Sequence, residues 1–133
     1  MENASSADLQ WLLLRGWNSK MVSRGGITFS REAGNLKNYH SYRYSGLAQP
    51  KPLSITAAPK GGVLYSTKKE GANPRHLTSA RKTVRARGAC IAPRKAAGKA
   101  AKIANSYRPD LVKAAVIRAA RIAETTRKTP KSA

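Results

Sequence analysis

The stretch that decides the fold runs Leu53-Ser54-Ile55-Thr56-Ala57, then Gly61-Gly62, then Val63-Leu64-Tyr65-Ser66-Thr67. The first segment alternates apolar and polar residues, the last is rich in strand formers, and the glycine pair offers a turn, so the whole reads as a β-hairpin. Upstream, Trp17 to Ser23 and Ile27 to Arg31 flank Gly25-Gly26, a pair that can take the positive φ values of a tight hairpin turn. Two hairpins imply a small antiparallel sheet. Large apolar residues (Leu9, Trp11, Leu12, Leu14, Trp17, Met21, Val22, Ile27, Phe29, Leu53, Ile55, Val63, Leu64, Tyr65) concentrate before position 70, so the core is expected there, with Trp11 and Trp17 as anchors.

Helices are expected on either side of the hairpins. Ser5 and Ser6 suit an N-cap, Asp8 falls in the first turn, and Leu9, Leu12 and Leu13 recur at helical spacing, which predicts a helix over 7–15 that Gly16 stops. Beyond Thr78 the chain shifts to Ala, Lys and Arg, interrupted by Gly88, Pro93 and Gly98; a helix is predicted over 94–105. A last helix starts at Pro109, places Asp110 at the positive end of its dipole, and carries the stripe Val112, Ala115, Val116, Ala119, Ile122 and Ala123, with Lys113, Arg118 and Arg121 off that stripe. The predicted class is therefore α+β: a short N-terminal helix, a small antiparallel sheet of two hairpins, then basic C-terminal helices. The expected division is a globular core over 1–70, from which residues 35–52 project as an arm, and a basic helical extension over 71–133. Residues 68–78 read as a linker and 125–133 as a frayed polar tail.

Charge points to the partner. Twenty-six Lys and Arg against six Asp and Glu leave the 133 residues at +20, a balance suited to a polyanion. The excess is uneven: +6 over residues 1–70 and +14 over 71–133, with no acid from Gly71 to Pro109. A solvated face normally mixes signs, so this stretch reads as an RNA-facing surface. Its candidates are Arg81, Lys82, Arg85, Arg87, Arg94, Lys95, Lys99 and Lys102, spaced to surround a helix with charge, followed by Arg108, Lys113, Arg118 and Arg121. Ala96, Ala97, Gly98, Ala100 and Ala101 beside them would let a helix approach phosphates closely. In the arm, Tyr39, Tyr42 and Tyr44 interleave with Lys37, His40, Arg43 and Lys51; tyrosine faces stack on bases while cations hold phosphates. The alternative for Tyr42 and Tyr44 is alternation on a strand, packed into the core.

Catalysis finds little support, since an RNA-modifying or cleaving enzyme needs convergent acid, base or nucleophile groups. Phosphate-loop and His-Glu-x-x-His patterns are lacking, and the six carboxylates are mostly isolated, so no catalytic residue, cofactor or small-molecule substrate is expected. The single Cys90 and the separated His40 and His76 offer no metal-ligand spacing. The longest run of large apolar residues, Trp11 to Leu14, is too short to span a bilayer, and Glu2 and Asp8 suit no targeting peptide; a soluble cytosolic or nuclear chain is expected.

Four local motifs occur in order: Leu9-Gln10-Trp11; Phe29-Ser30 with Asn35-Leu36; Ser41-Tyr42-Arg43-Tyr44-Ser45-Gly46-Leu47; and Tyr107-Arg108-Pro109-Asp110-Leu111. Together they resemble the eukaryotic large-subunit ribosomal protein twenty-eight family (L28e-type), over roughly positions 6 to 124. The resemblance implies a non-enzymatic constituent of the cytosolic large ribosomal subunit, bound to its ribosomal RNA and to neighbouring ribosomal proteins, and passing through the nucleolus for assembly. Residues 78–104 match that pattern in little beyond basic character. Two alternatives stay open: a chromatin or DNA-compacting protein, suggested by Pro93-Arg94-Lys95-Ala96-Ala97-Gly98-Lys99-Ala100-Ala101-Lys102, and a related ribosome-assembly factor.

Overall fold

A computed structural model of the chain describes residues 6–59, 61–72, 76, 79–86 and 91–128. Helix α1 (Ala7–Gly16) leads into the hairpin β1 (Met21–Arg24) and β2 (Ile27–Ser30). After a 3-10 turn at Tyr42–Tyr44 come β3 (Leu53–Ala57), β4 (Val63–Lys68) and β5 (Arg81–Arg85). Helix α2 (Pro93–Tyr107), a 3-10 turn (Pro109–Leu111) and helix α3 (Val112–Lys128) complete the chain. The α+β class and both hairpins are as expected, and Gly25 and Gly26 adopt φ of 57° and 77°. The strands do not form one sheet. Strands β1 and β2 pair by themselves, while β3, β4 and β5 form a separate antiparallel sheet in that order.

Strand β5 lies inside the stretch that the sequence assigns to a basic helical extension. Thr83 and Val84 favour extended backbone, and the full register from Leu64↔Arg85 to Lys68↔Arg81 supplies ladder hydrogen bonds that an isolated basic segment cannot find.

The core also differs from its expected location. Leu53, Ile55, Val63 and Tyr65 form one wall; Ala96, Ala100 and Ala104 of α2, Leu111, and Ala115, Ala119 and Ala123 of α3 form the other. Both halves of the chain thus share one core. Ala96 and Ala100, expected beside phosphates, belong to rows of alanines that recur at intervals of four and face inward, which lets both helices lie close to the sheet and to each other. The Tyr65 hydroxyl crosses this core to donate to Ala96 O at 2.9 Å.

By contrast, α1 buries no residue. Leu9, Leu12 and Leu13 are exposed, and Trp17, expected as an anchor, is 91% exposed. Trp11 is half-buried against His40 and Tyr42, with ring centroids 5.0 and 5.9 Å away.

The segment over 35–52 is not held out as an arm. Asn35, Leu36, Ser45 and Ala48 are buried. Residues 38–40 lie beside β2, with Ser30 N donating to Asn38 O at 2.7 Å and His40 N to Thr28 O at 3.3 Å. Residues 50–52, with Pro50 and Pro52, lie outside helix and strand, and β3 begins directly after them, yet backbone pairing of residues 38–40 needs no long strand.

One glycine is open to improvement. Gly98 lies inside α2 with nothing within 4 Å of the place a methyl would occupy, so Gly98→Ala is expected to stabilise the fold by about 1 kcal/mol. A rise in the urea midpoint at unchanged slope would show it; a fall would mean the exposed face of α2 is more crowded than it is here.

Candidate nucleic-acid interface

The three-stranded sheet has two unlike faces, because side chains alternate along a strand and cross-strand partners share a face. Leu53, Ile55, Val63 and Tyr65 point to the helices. Ser54 and Thr56 of β3, Leu64, Ser66 and Lys68 of β4, and Arg81, Thr83 and Arg85 of β5 form the other face. Lys68, Arg81 and Arg85 are all exposed on that side. It is a flat surface of hydroxyls edged by three cations, with Thr83 Oγ1 donating to Ser66 Oγ at 3.5 Å and Arg85 to Gly61 O at 3.0 Å.

A cleft of about 650 Å³ continues this surface. Its lining includes Ser54 and Thr56 of β3, Arg24, Phe29 and Arg31 of the first hairpin region, and Glu32, Asn38 and Arg118. Arg24 and Arg31 therefore border the same side of the molecule as the open sheet face. Neither they nor Lys68 are among the cations that the sequence singles out. The signal for the sheet face is the alternation Arg81-Thr83-Arg85, which reads as one strand face once β5 is recognised.

On α2 the cations do not surround the helix. Arg94, Lys95 and Lys102 are exposed on the side away from the buried alanines, so the helix has a neutral face and a charged one. Lys99 lies partly inside, its Nζ 5.9 Å from the Tyr65 ring centroid and donating to Arg85 O at 3.3 Å. Lys82 is exposed on β5, on the opposite side from Arg81, and Lys113 is exposed on α3. Arg87 lies outside the described residues.

Other candidate cations are occupied by the fold. Arg118 is half-buried and donates to Ile55 O, Leu36 O and Asn38 Oδ1 at 2.8, 2.9 and 3.3 Å; burial pushes its pKa down from the ordinary arginine value. Arg108 places two donors on Asp110, at 3.1 and 2.7 Å, and one on Arg43 O. Arg43 answers with Nη2 on Asp110 O and an ion pair to the same carboxylate. The hydrogen bonding from Arg108 holds the Asp110 pKa below its ordinary value. Asp110 thus does more than start a helix: it ties the turn before α3 to the Tyr42–Tyr44 turn. Arg121 pairs with Glu124 and Lys51 with Glu70, both at the surface.

The tyrosines divide in the same way. Tyr39 is exposed, stacked on Phe29 at 5.9 Å. Tyr42 is half-buried beside Trp11, and its hydrogen bond to Asp8 raises its pKa above 10.0. Tyr44 packs against the core, with Lys37 Nζ and the Arg43 guanidinium 5.4 and 5.7 Å from its ring. Tyr42 and Tyr44 sit on a 3-10 turn, not on the strand considered for them. His40 bonds through Nε2 to Arg15 O at 2.9 Å and serves to fasten α1.

Among the described residues no group of three or more His, Cys, Asp and Glu could hold a metal ion. No helix among them is long and apolar enough to cross a membrane.

Comparison with known proteins adds an independent line. A family model described as the Ribosomal L28e protein family matches residues 9–125. The protein named large ribosomal subunit protein eL28 from Dictyostelium discoideum is 35% identical, covering 96% of this chain and 94% of its own. Its namesake from Schizosaccharomyces pombe is 34% identical over 92% of this chain and 93% of its own. The one from Caenorhabditis elegans is 40% identical over half of this chain. The ordered motifs and a match spanning nearly the whole sequence agree: the chain belongs to the Ribosomal L28e protein family.

Proposed function

We propose that the chain is a structural constituent of the large subunit of the cytosolic ribosome, where it binds ribosomal RNA, neutralises phosphates and supports translation without catalysing a reaction. The observation that carries this reading is where the fold puts the acid-free segment: Arg81 and Arg85 emerge on the open sheet face and Arg94, Lys95 and Lys102 on the outer side of α2, while Ala96, Ala100 and Ala104 turn inward. Folded RNA crowds phosphates together, and a chain of +20 placed between them lowers their mutual repulsion. The names of the relatives support the large subunit as the location, and the lack of catalytic patterns in the sequence agrees with a non-enzymatic role. Assembly of such a protein entails passage through the nucleolus before residence in the cytoplasm.

Cosedimentation with large subunits through a high-salt wash is the direct test. Release into free fractions at moderate salt, or crosslinks to genomic DNA in place of ribosomal RNA, would reverse the reading.

Binding to ribosomal RNA fragments is expected to weaken with salt at a log-log slope of roughly −7 to −9, if about ten cations meet phosphates. Arg81→Glu is expected to flatten that slope by about one unit and to leave thermal stability unchanged, because Arg81 is exposed on the open face. An unaltered slope would remove the sheet face from the interface.

A further inference from the structure

The charged surfaces leave one part of the molecule unexplained. Helix α1 carries its leucines outward. At 100° per residue Leu9, Leu12 and Leu13 share one side, and Trp11 and Leu14 share the opposite one. The inner side is fastened: Trp11 lies between His40 and Tyr42, His40 Nε2 bonds to Arg15 O, and Asn18 Nδ2 donates to Leu14 O. The Ser6 side chain caps the N-terminus by accepting from Leu9 N at 3.1 Å. The orientation is thus set by polar and aromatic tethers, and the leucines are left 50, 59 and 72% exposed, with Trp17 at 91% beyond the helix end. A patch of three leucines and a tryptophan is what a soluble chain keeps for a partner.

We propose that α1 and Trp17 dock, helix in groove, into an apolar groove with an acidic rim on another protein of the same particle. Surface chemistry selects that occupant. Helix α1 carries one cation, Arg15, beside one acid, Asp8, and so offers an RNA backbone fewer cations than β5 or α2 does. RNA offers phosphates, sugars and base faces but no apolar groove to cover Leu9, Leu12 and Leu13, which have no planar face for a base to stack on. A second copy of this chain would bring two charges of +20 together. The exposed charges beside Trp17 are Arg15 and Lys20, and their complement is acidic. The fold then faces two kinds of neighbour: RNA on the basic surfaces and protein at α1.

This inference rests on the ribosomal reading, and one experiment separates the two. Large subunits are purified from cells carrying the full chain with a photoreactive benzoylphenylalanine at position 13, and the adduct is treated with RNase after illumination. A single RNase-resistant adduct to another protein is expected, while the same probe at position 102 on α2 serves as the RNA-facing control. An RNase-sensitive adduct, an adduct to a second copy, or none at position 13 overturns the inference alone. Absence of the unmodified chain from large subunits overturns the ribosomal reading and the inference with it. As a second measurement, Leu12→Ser with Leu13→Ser is expected to keep the melting curve, since both side chains are exposed, and to lose about tenfold in competition with the parent chain for incorporation. Equal incorporation would overturn the docking role.

Discussion

Arg118→Met is expected to lower stability by about 3 kcal/mol, although the sequence suggests a surface cation off the apolar stripe. Strand β3 is an edge of the three-stranded sheet, and Ile55 O on that edge takes a hydrogen bond from Arg118 Nε. The Arg118 guanidinium satisfies it, and also Leu36 O and the side chain of Asn38, a residue held at φ 59°. A planar fork with several donors can serve three acceptors at once; an ammonium cannot do so in this geometry, so Arg118→Lys is expected to recover only part of the loss. Methionine keeps most of the volume and removes every donor, leaving buried carbonyls without partners. Arg121→Met three residues on is expected to change stability by less than about 0.5 kcal/mol, because its pair with Glu124 is exposed. Urea titrations of the variants check this. Equal midpoints for the 118 and 121 variants would mean water replaces the guanidinium at the β3 edge.

Gly46→Ala is expected to cost at least about 3 kcal/mol, and the reason is a crossing of two loops. A methyl at position 46 would overlap Ala33 O and lie 2.9 Å from Ala33 C and 3.1 Å from Gly34 Cα, all of them backbone atoms with no rotamer to escape by. The loops are drawn together by buried Glu32, whose Oε2 accepts from Ser45 Oγ at 2.7 Å and from Gly46 N at 2.9 Å. Moving the backbone to admit the methyl stretches those bonds and leaves a buried carboxylate short of donors. The contrast with Gly98→Ala is the control: the same substitution is expected to raise stability in α2 and to lower it here. Thermal melts of both would show opposite shifts; a melting point for Gly46→Ala within a degree or two of the parent would mean the loops part freely.

Much of the fold was legible in the sequence. Gly25-Gly26 and Gly61-Gly62 marked both hairpins because positive φ is a backbone demand that few residues meet. Ser6 marked the start of α1 for an equally local reason, the unpaired amides of a first turn, whereas Pro109 opens a 3-10 turn and α3 starts three residues later, at Val112. Strand β5 was not legible, since Arg81-Lys82-Thr83-Val84-Arg85 has weak preferences of its own and becomes a strand by pairing with β4. The candidate interface was half legible. Excess cations were countable, but Arg118, Arg108 and Arg43 look like Lys95 or Lys102 until carbonyls and Asp110 are brought beside them.

By itself the sequence determined the α+β class, the hairpin turns, the helix starts to within a few residues and the net charge of +20, all properties of composition and of contacts within a few residues. Only the tertiary structure decided which cations face outward, that the alanines of α2 and α3 line a core shared by both halves, and that Leu12, Leu13 and Trp17 stay in solvent. The physical reason is that burial and hydrogen-bond satisfaction are settled between residues far apart in the chain, such as Arg118 with Leu36 and Trp11 with Tyr42, and no local pattern records those pairings.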